Sequence, residues 1–282
     1  KTALRVQRWV MGHLPGSIVT ARFDGGRAVL RRCLAEALLI PFDRARILAL
    51  ALAAAVGGTH PGCSTPSSVQ AQQGNKGVLE LGKVTRKRQI APLFSVEHAE
   101  WLIRPDREST EQPDKVLEAL GVAPGATVAD VGAGVGYFTW RLAQRVGPGG
   151  KVIAVEVQQK MLDLMADNLR RRNLTNVEMV LGGVRDPRLP EGAVDLALLV
   201  DVYHEFSEPE AMIAAIRRGL KPQGRLVLVE YRKEDPSIPI LPLHKMSVAE
   251  VRSEIEPLGF QLDKALEFLP TQHILIFTRK EL

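Results

Sequence analysis

From residue 127 to the C-terminus, short apolar stretches alternate with amphipathic ones. Five of the apolar stretches predict β-strands, at residues 127–131, 151–156, 177–181, 194–200 and 225–231. Residues 196–200 and 226–229 are apolar throughout, which is typical of strands buried on both faces of a parallel sheet. The segments between the strands predict helices. Two last strands, at about 261–268 and 273–279, have no helix between them and predict a β-hairpin. The pattern therefore predicts a doubly wound α/β fold, with a mostly parallel sheet that ends in an antiparallel hairpin.

Two further helices are predicted ahead of the first strand. Ser95 is a suitable N-cap for a helix over residues 96–103, and Pro105 ends that helix. Pro113 fits the first turn of a second helix, which ends near Gly121. We expect these helices to lie over the mouth of a ligand pocket as a lid.

The N-terminal part differs in composition from the rest of the chain. Residues 1–46 carry nine lysines and arginines and three acids, a net charge of +6, whereas the whole chain has a net charge of +5. The remaining residues therefore sum to −1, so the basic character does not indicate nucleic-acid binding by the folded domain. Both cysteines, Cys33 and Cys63, also lie in the N-terminal part. A cysteine nucleophile, a disulfide framework and a thiolate metal site are thus excluded from the rest of the chain.

An apolar segment, residues 47–58, follows the basic region. It is shorter than the roughly 20 residues of a membrane span but is typical of the apolar core of a signal peptide. Val69–Ala71 fits a small-residue cleavage site, whereas Gly62–Cys63 is a poor lipobox. We expect an exported, periplasmic or membrane-tethered protein; a transit peptide, a helix packed on the domain, or an over-extended start of a cytoplasmic protein are the alternatives. The predicted division is a disordered leader over residues 1–73, a linker or arm over 74–95 and a folded domain over 96–282.

The most specific motif lies between the first strand and the helix after it. Asp130 ends the strand, and three glycines follow at alternate positions: Gly132, Gly134 and Gly136. Glycines let a ligand approach the backbone, and the start of the next helix, predicted over residues 138–146, presents free N–H groups. A dinucleotide fingerprint would need a glycine at Tyr137, and the Gly-Lys-Ser/Thr of a P-loop is absent. An acid before the glycines repels a pyrophosphate but suits a cofactor with an ammonium and a sulfonium.

This D-x-G-x-G-x-G pattern resembles motif I of the class I S-adenosylmethionine (SAM) methyltransferases. Residues 218–226, Arg-Gly-Leu-Lys-Pro-Gln-Gly-Arg-Leu, look like those of the quinone-biosynthesis-type C/O-methyltransferases. The resemblance covers about Glu97 to the C-terminus. It implies a Rossmann-like sheet of seven strands with an antiparallel last strand, SAM as the cofactor, and a small molecule as the methyl acceptor.

The strand ends supply the other candidate cofactor ligands. Glu156 ends the second strand, 20 residues after Gly136, where an acid can accept hydrogen bonds from both ribose hydroxyls. The resemblance gives Glu156 this role and implies an acid beside the adenine after the third strand, for which Asp186 is the candidate. Asp201 ends the fourth strand beside the expected methionyl group, and Asp130 would face the cofactor's amino group. The predicted cofactor-binding residues are Asp130, Gly132, Ala133, Gly134, Gly136, Glu156, Asp186 and Asp201.

Three histidines are candidates for the chemistry. His204 follows the fourth strand, His244 lies after the fifth, and His273 begins the last strand of the hairpin. Ligands of an open parallel sheet bind at the carboxyl ends of its strands, so one pocket should be bordered by Tyr203, His204, Glu205, His244 and His273. Methyl transfer needs proximity, alignment and a base for O–H or N–H acceptors, and we expect His204, beside Glu205, to be the base. The histidines lack local metal-ligand spacing, so no metal site is predicted.

The segment after the fourth strand excludes some acceptors. It is Asp201-Val-Tyr-His-Glu-Phe206, whereas amino-directed DNA and glutamine methyltransferases have Asn/Asp-Pro-Pro-Tyr/Phe there. A basic, aromatic-rich patch is missing from the predicted domain, so nucleic acid is not an expected partner. Two alternatives remain open: an NAD(P)-dependent Rossmann oxidoreductase, and a non-catalytic SAM-binding protein. The second gains weight from the leader, because SAM is made in the cytosol.

Overall fold

The computed structural model describes residues 88–280, and the predicted leader, its apolar segment and most of the predicted linker lie outside this range. The strands are β1 (Thr127–Val131), β2 (Lys151–Glu156), β3 (Val177–Leu181), β4 (Val194–Val200), β5 (Leu220–Arg232), β6 (Lys245–Met246), β7 (Phe260–Leu266) and β8 (Gln272–Arg279). The α-helices are α1 (Arg107–Glu111), α2 (Pro113–Leu120), α3 (Thr139–Val146), α4 (Gln159–Arg171), α5 (Pro209–Gly219) and α6 (Val248–Ile255). Short 3₁₀ helices cover Val96–Ile103, Tyr203–Glu205, Pro242–His244 and Glu256–Leu258.

The strands form one sheet in the order β3-β2-β1-β4-β5-β8-β7, with β6 paired to β5. The pairs among β1 to β5 are parallel, whereas β8 is antiparallel to both β5 and β7. The strand order reverses between β1 and β4: the chain runs outward to β2 and β3 on one side and to β5 on the other. Ligands of such sheets bind at the carboxyl ends of the strands beside this switch point. The predicted mostly parallel sheet with a terminal hairpin is confirmed.

Helices cover both faces of the sheet. Along β4, Leu196 and Leu198 pack in a core with α2 and α3, while Ala197 and Leu199 pack on the opposite side with α5 and α6. Helix α4 lies on the same face as α3 and packs on Ala154 of β2. This alternation explains the wholly apolar sequence of β4, because successive side chains of a strand point to opposite faces and both are buried here.

Several elements differ from the sequence-based expectation. The prediction of a helix between each pair of successive strands is wrong for β3 and β4, because residues 182–193 form no helix. The glycines and prolines of that segment disfavour one. Helix α1 was not predicted. Strand β5 begins at Leu220 rather than at residue 225, because Leu220 pairs with Val194 across a register shift. Strand β6 has two residues, too few for a periodic pattern. The helix over Val96–Ile103 is a 3₁₀ helix with a kink at His98, although Ser95 caps it as expected, accepting a hydrogen bond from the Glu97 N–H.

The segment from Arg88 to Ser95 lies against the domain, and we call it the arm. The Arg88 guanidinium donates to both carboxylate oxygens of Glu254, at 3.0 and 3.1 Å. The Ala91 N–H donates to the carbonyl of His204 at 3.0 Å. This end of the predicted linker is therefore attached to the residues that follow β4. Between residues 88 and 280, no helix has the length and apolar character needed to cross a bilayer.

Candidate functional site

A cavity of about 620 Å³ opens at the carboxyl ends of β1, β2, β4 and β5. The glycine loop after β1 forms its floor, and the ends of β2 and β4 form its sides. Residues 90–94 of the arm and the lid segments around Trp101, Arg104 and Arg107 close it from the other side. The cavity therefore lies where the sheet topology predicts a ligand, and the first predicted lid helix borders it. The lid prediction is wrong for the second helix, α2, whose apolar side chains pack in the core beside α3 and which contributes no residue to the lining.

The glycine loop brings bare backbone to the cavity at Gly132 and Gly134, whereas Gly136 is not among the described lining residues and packs against Met165. Gly132, Gly134 and Gly136 all have positive φ, of +76°, +54° and +84°. A Cβ atom on Gly132 would lie 2.4 Å from Cγ2 of Val202, so a larger residue would clash as well as strain the backbone. Ala133, between the first two glycines, also lines the cavity. The loop thus leaves room for a ligand to approach its main chain, as the motif predicts.

Glu156 is held by backbone N–H groups at the end of β2. Its Oε2 accepts from Gly134 at 3.0 Å, and its Oε1 accepts from Val157 at 2.8 Å and from Gln158 at 2.9 Å. Burial nevertheless raises the pKa of Glu156, because desolvation outweighs these three hydrogen bonds. The carboxylate lies in the cavity wall beside the glycine loop, where it can exchange these partners for ligand hydroxyls.

Asp130 is buried at the end of β1 and lines the cavity. Its Oδ2 accepts a hydrogen bond of 2.6 Å from the Thr139 hydroxyl at the start of α3. Burial raises the pKa of Asp130 to about 6, although the Thr139 hydrogen bond and the charge of Arg107 act in the other direction. This carboxyl group therefore titrates in a range where it can respond to a cationic ligand.

We expect the affinity for S-adenosylhomocysteine, the product form of the predicted cofactor, to be about tenfold weaker at pH 5 than at pH 7. If Asp130 pairs with the ligand's ammonium, it must be ionised to do so. Affinity should then rise with pH through the Asp130 pKa of about 6 and level off above it. Calorimetric titrations across this range would measure the effect. Other buried acids affect the pH dependence of binding in the wild type and in Asp130→Asn alike, so the difference between these two proteins isolates the effect of Asp130. An unchanged pH profile in the variant would contradict the pairing.

Asp201 and Asp186, the other two predicted cofactor acids, lie in different environments. Asp201 lines the cavity in a left-handed conformation, with a φ of +49°, and its Oδ2 accepts from Gln272 Nε2 at 2.7 Å. Burial, together with Glu111 and Glu230, raises the pKa of Asp201 well above its usual value. Asp186 is exposed and accepts from the backbone of Arg188. From the loop after β3, Gly183 and Val184 line the cavity, whereas Asp186 is not among the described lining residues.

His204, Glu205 and His244 meet at one end of the cavity. His204 is buried, with Nδ1 2.6 Å from Oε2 of Glu230 and Nε2 3.1 Å from Nδ1 of His244. Oε1 of Glu205 lies 3.9 Å from His204 Nε2, while its Oε2 accepts from the Phe94 N–H at 3.1 Å. We call His204, Glu205 and His244 the imidazole cluster. Two of the three predicted histidines are therefore adjacent, although 40 residues separate them.

The surroundings of the imidazole cluster shift the pKa of each of its three members. Burial lowers the pKa of His204, but Glu230, Asp201 and Glu205 raise it by more, so it lies above its usual value. Burial raises the pKa of Glu205 to about 7. The pKa of His244 is lowered, by burial and by His204. The Nδ1 of His204 faces Glu230, and its Nε2 faces His244.

Glu230 is a functional candidate that the sequence prediction missed. It is completely buried, and besides His204 it accepts from the Tyr203 N–H at 2.9 Å. An acid that ends the otherwise apolar run 226–229 could have been noticed in the sequence. The fully buried carboxylate fixes the ring orientation of His204, so we regard Glu230 as a positioning residue.

Tyr203 and His273, predicted to border the pocket, are not in the cavity lining of the described residues. The Tyr203 hydroxyl donates to Glu254 at 3.0 Å, on the side of the arm. His273 pairs with Glu230 in the β5–β8 ladder and is completely buried. Within residues 88–280, neither of its ring nitrogens has a hydrogen-bond partner. The start of β8 lies at the predicted edge of the sheet, but the His273 side chain is buried beside the sheet rather than in the cavity.

Replacing His273 with leucine is expected to raise the free energy of unfolding by about 1–2 kcal/mol, because a buried nitrogen without a partner is costly. Burial lowers the pKa of His273 below the 6.5 of the unfolded chain, so the unfolded state gains a proton first. The wild type should therefore lose stability as pH falls below about 6.5, and the variant should lose less. Urea denaturation at neutral and mildly acidic pH measures both effects. A less stable variant would mean that the histidine has a partner after all.

The lid is held by a buried carboxylate that the sequence did not predict. Glu111 accepts from Arg104 at 2.8 Å, from Arg107 at 2.7 Å and from the Tyr231 hydroxyl at 3.3 Å. The Arg107 guanidinium also lies 4.0 Å from the ring centroid of Tyr137, beside the glycine loop. The two arginines that the lid carries therefore already have a carboxylate partner and connect the lid to the floor of the cavity.

Residues 123–262 match the family model of a methyltransferase domain. The nocamycin O-methyltransferase of Saccharothrix syringae is 32% identical over 114 residues, which cover 40% of this chain and 41% of that protein. A ubiquinone/menaquinone biosynthesis C-methyltransferase of Ectopseudomonas mendocina is 30% identical over 126 residues, which cover 44% of this chain and 48% of that protein. The chain thus spans less than half the length of each of these relatives.

Solved structures give the same result. A SAM-dependent methyltransferase from Aquifex aeolicus has a TM-score of 0.63 and 28% sequence identity to this chain. The superposition covers 66% of this chain and 100% of that one. The similarity therefore extends over the whole of that enzyme.

Proposed function

We propose that this chain transfers the methyl group of SAM to a small-molecule acceptor. The match of residues 123–262 to a methyltransferase domain and the similarity to a solved SAM-dependent methyltransferase support this. SAM is the cofactor of the family, so the matches favour it over the nicotinamide cofactor of the oxidoreductase alternative. The relatives are named as an O-methyltransferase and as a C-methyltransferase. Because these relatives methylate different kinds of atom by name, the atom that this chain methylates must be identified by experiment.

One observation carries the proposal: one cavity is lined by two differently built groups of residues. Glu156 and the glycine loop offer a carboxylate and bare backbone, which suit the ribose and the amino-acid part of SAM. The imidazole cluster lines the same cavity. An acceptor bound there would be in the same cavity as the cofactor, as in-line transfer from a sulfonium requires.

Much of the cavity lining is apolar. The side chains of Leu93, Phe94, Trp101, Val184 and Leu241 belong to it, and all but Phe94 are also exposed at the surface. An apolar or aromatic acceptor would bury this surface, whereas a highly charged one would not. We therefore propose an acceptor with a substantial apolar part, oriented by a polar group toward the imidazole cluster.

Calorimetric titration of the purified full-length chain with S-adenosylhomocysteine, with NADH as a parallel ligand, tests the cofactor. We expect micromolar binding of S-adenosylhomocysteine alone, and binding of NADH alone would overturn the proposal. Transfer itself is tested with methyl-labelled SAM and a panel of apolar hydroxyl, amine and activated-carbon acceptors. Cofactor binding without transfer to any acceptor would favour the non-catalytic alternative.

For the N-terminal region, we propose that residues 1–73 are a leader that directs export or tethers the enzyme to a membrane. The support is the basic region followed by the apolar segment 47–58. Sequencing the N-terminus of the native protein from separate cell fractions tests this. A mature chain that begins near Gln72 in the periplasmic or membrane fraction is the expected result, and an uncleaved chain in the cytoplasm would contradict it.

A further inference from the structure

We propose that His204, His244 and Glu205 bind a divalent transition-metal ion, and that this ion binds the methyl acceptor through an ionised hydroxyl. Within residues 88–280, these three side chains are the group whose donor atoms converge closely enough to hold a metal, all within 4.8 Å of one another. The sequence predicts no metal because the ligands come from separate loops. The structure brings those loops together.

The distances suit a metal with nitrogen and oxygen ligands. Two donors on a tetrahedral zinc ion lie about 3.3 Å apart, given zinc–ligand distances of about 2.0–2.2 Å. The nitrogens of His204 and His244 are 3.1 Å apart, and the Glu205 oxygen is 3.9 Å from His204 Nε2. Small side-chain rotations would bring all three to a common ion. Two histidines and one glutamate are also a known ligand set of catalytic zinc sites.

A second set of contacts orients the ligands, as in established metal sites. A metal-bound histidine usually donates its other ring N–H to a carboxylate or carbonyl, and here Nδ1 of His204 lies 2.6 Å from Glu230. Glu205 uses Oε2 to accept from the Phe94 N–H, which leaves Oε1 for the ion. The arm therefore holds one ligand, and β5 holds another.

The electrostatics and the access route favour a cation. Two carboxylates lie close to His204, that of Glu230 at 2.6 Å from its Nδ1 and that of Glu205 at 3.9 Å from its Nε2. All three ligands line the cavity, and His244 is only partly buried, so a bound ion would keep a coordination position open to the acceptor. Three protein ligands and one open position are typical of catalytic rather than structural zinc.

The class of acceptor rests on the proposed methyl transfer. A hydroxyl bound to the ion loses its proton to solvent water at near-neutral pH, because a cation lowers the pKa of a bound oxygen. The resulting oxygen anion forms the new C–O bond while the C–S bond of SAM breaks. The electron pair of that bond stays on sulfur, which gives S-adenosylhomocysteine and a methyl ether. Acceptors with a phenolic, enolic or alcoholic hydroxyl are therefore the predicted class.

Calorimetric titration of the EDTA-treated full-length chain with ZnCl₂ tests the site, with MgCl₂ as the control for a cation that prefers oxygen ligands. We expect one zinc ion per chain with micromolar or tighter affinity. Binding should be at least about 100-fold weaker in His244→Ala and about 10–100-fold weaker in Glu230→Gln, which removes only the orienting charge. His98→Ala is the matched control, because His98 is exposed and outside the cavity lining, and its affinity should not change.

Failure of the wild type to bind zinc, or equal binding by wild type and His244→Ala, would overturn the metal site. The first result would leave a direct His204–His244 hydrogen bond as the reason for their contact. The same metal-free samples are titrated with S-adenosylhomocysteine. Binding of S-adenosylhomocysteine without binding of zinc rejects this inference alone, whereas zinc binding without S-adenosylhomocysteine binding rejects the proposed function and its acceptor class. Thermal unfolding of each variant confirms that it is folded.

Discussion

Replacing Glu156 with alanine is expected to weaken the binding of S-adenosylhomocysteine by at least about 100-fold, since two hydrogen bonds to a charged carboxylate contribute about 1.5–3 kcal/mol each. In the structure both carboxylate oxygens of Glu156 accept from backbone N–H groups, including that of Gly134 in the glycine loop. The variant loses the acceptors for the ribose hydroxyls and also the contact that holds the loop. Calorimetric titration measures the change.

Asp186→Ala is the matched control for Glu156. The carboxylate of Asp186 is exposed and bonded to its own loop, so its removal should leave the affinity for S-adenosylhomocysteine unchanged. Equal affinities of wild type and Glu156→Ala would contradict the placement of the ribose. A large loss in Asp186→Ala would instead support the sequence-based prediction that this acid contacts the adenine.

Replacing His204 with alanine is expected to lower kcat by about 100-fold or more, the usual contribution of a group that handles the acceptor's proton. The affinity for S-adenosylhomocysteine should stay unchanged, because the ring of His204 makes no contact with Glu156 or with the glycine loop among the hydrogen bonds of the described residues. This outcome is expected whether His204 takes the proton itself or binds the proposed ion. Steady-state kinetics with the acceptor found in the screen would measure it.

His273→Leu is the comparison for His204, because His273 is buried outside the cavity lining of the described residues. We expect kcat close to that of the wild type in His273→Leu. Full activity in His204→Ala would remove His204 from the chemistry. Loss of activity in His273→Leu, in a folded protein, would restore the predicted three-histidine pocket.

Local patterns explain why so much of the fold was predictable. The strand positions follow from apolar runs, and the turn after β1 follows from glycines that adopt positive φ. The meeting of His204 and His244 could be predicted because both follow strands of one parallel sheet. Topology identifies the edge of a sheet at which a residue lies, and for these two histidines the loops bring the rings together.

The remaining site residues depend on information that a single sequence lacks. His273 lies at the predicted edge, but the alternation of side chains along β8 places its ring beside Glu230 within the packed layer. Asp186 follows two glycines, whose turn directs the carboxylate to its own loop. The contact of Arg88 with Glu254 joins residues 166 positions apart, and no local pattern indicates it.

The arm has a practical consequence for producing the protein. A fragment that starts at residue 96, the boundary suggested by the sequence, would lack Arg88 and the hydrogen bonds that its guanidinium donates to Glu254 and to the carbonyl of His204. The fragment would also lack Phe94, whose N–H holds Glu205. An expression boundary upstream of Arg88 should therefore give better yield and a complete binding cavity, and trimming to the minimal family match would lose both.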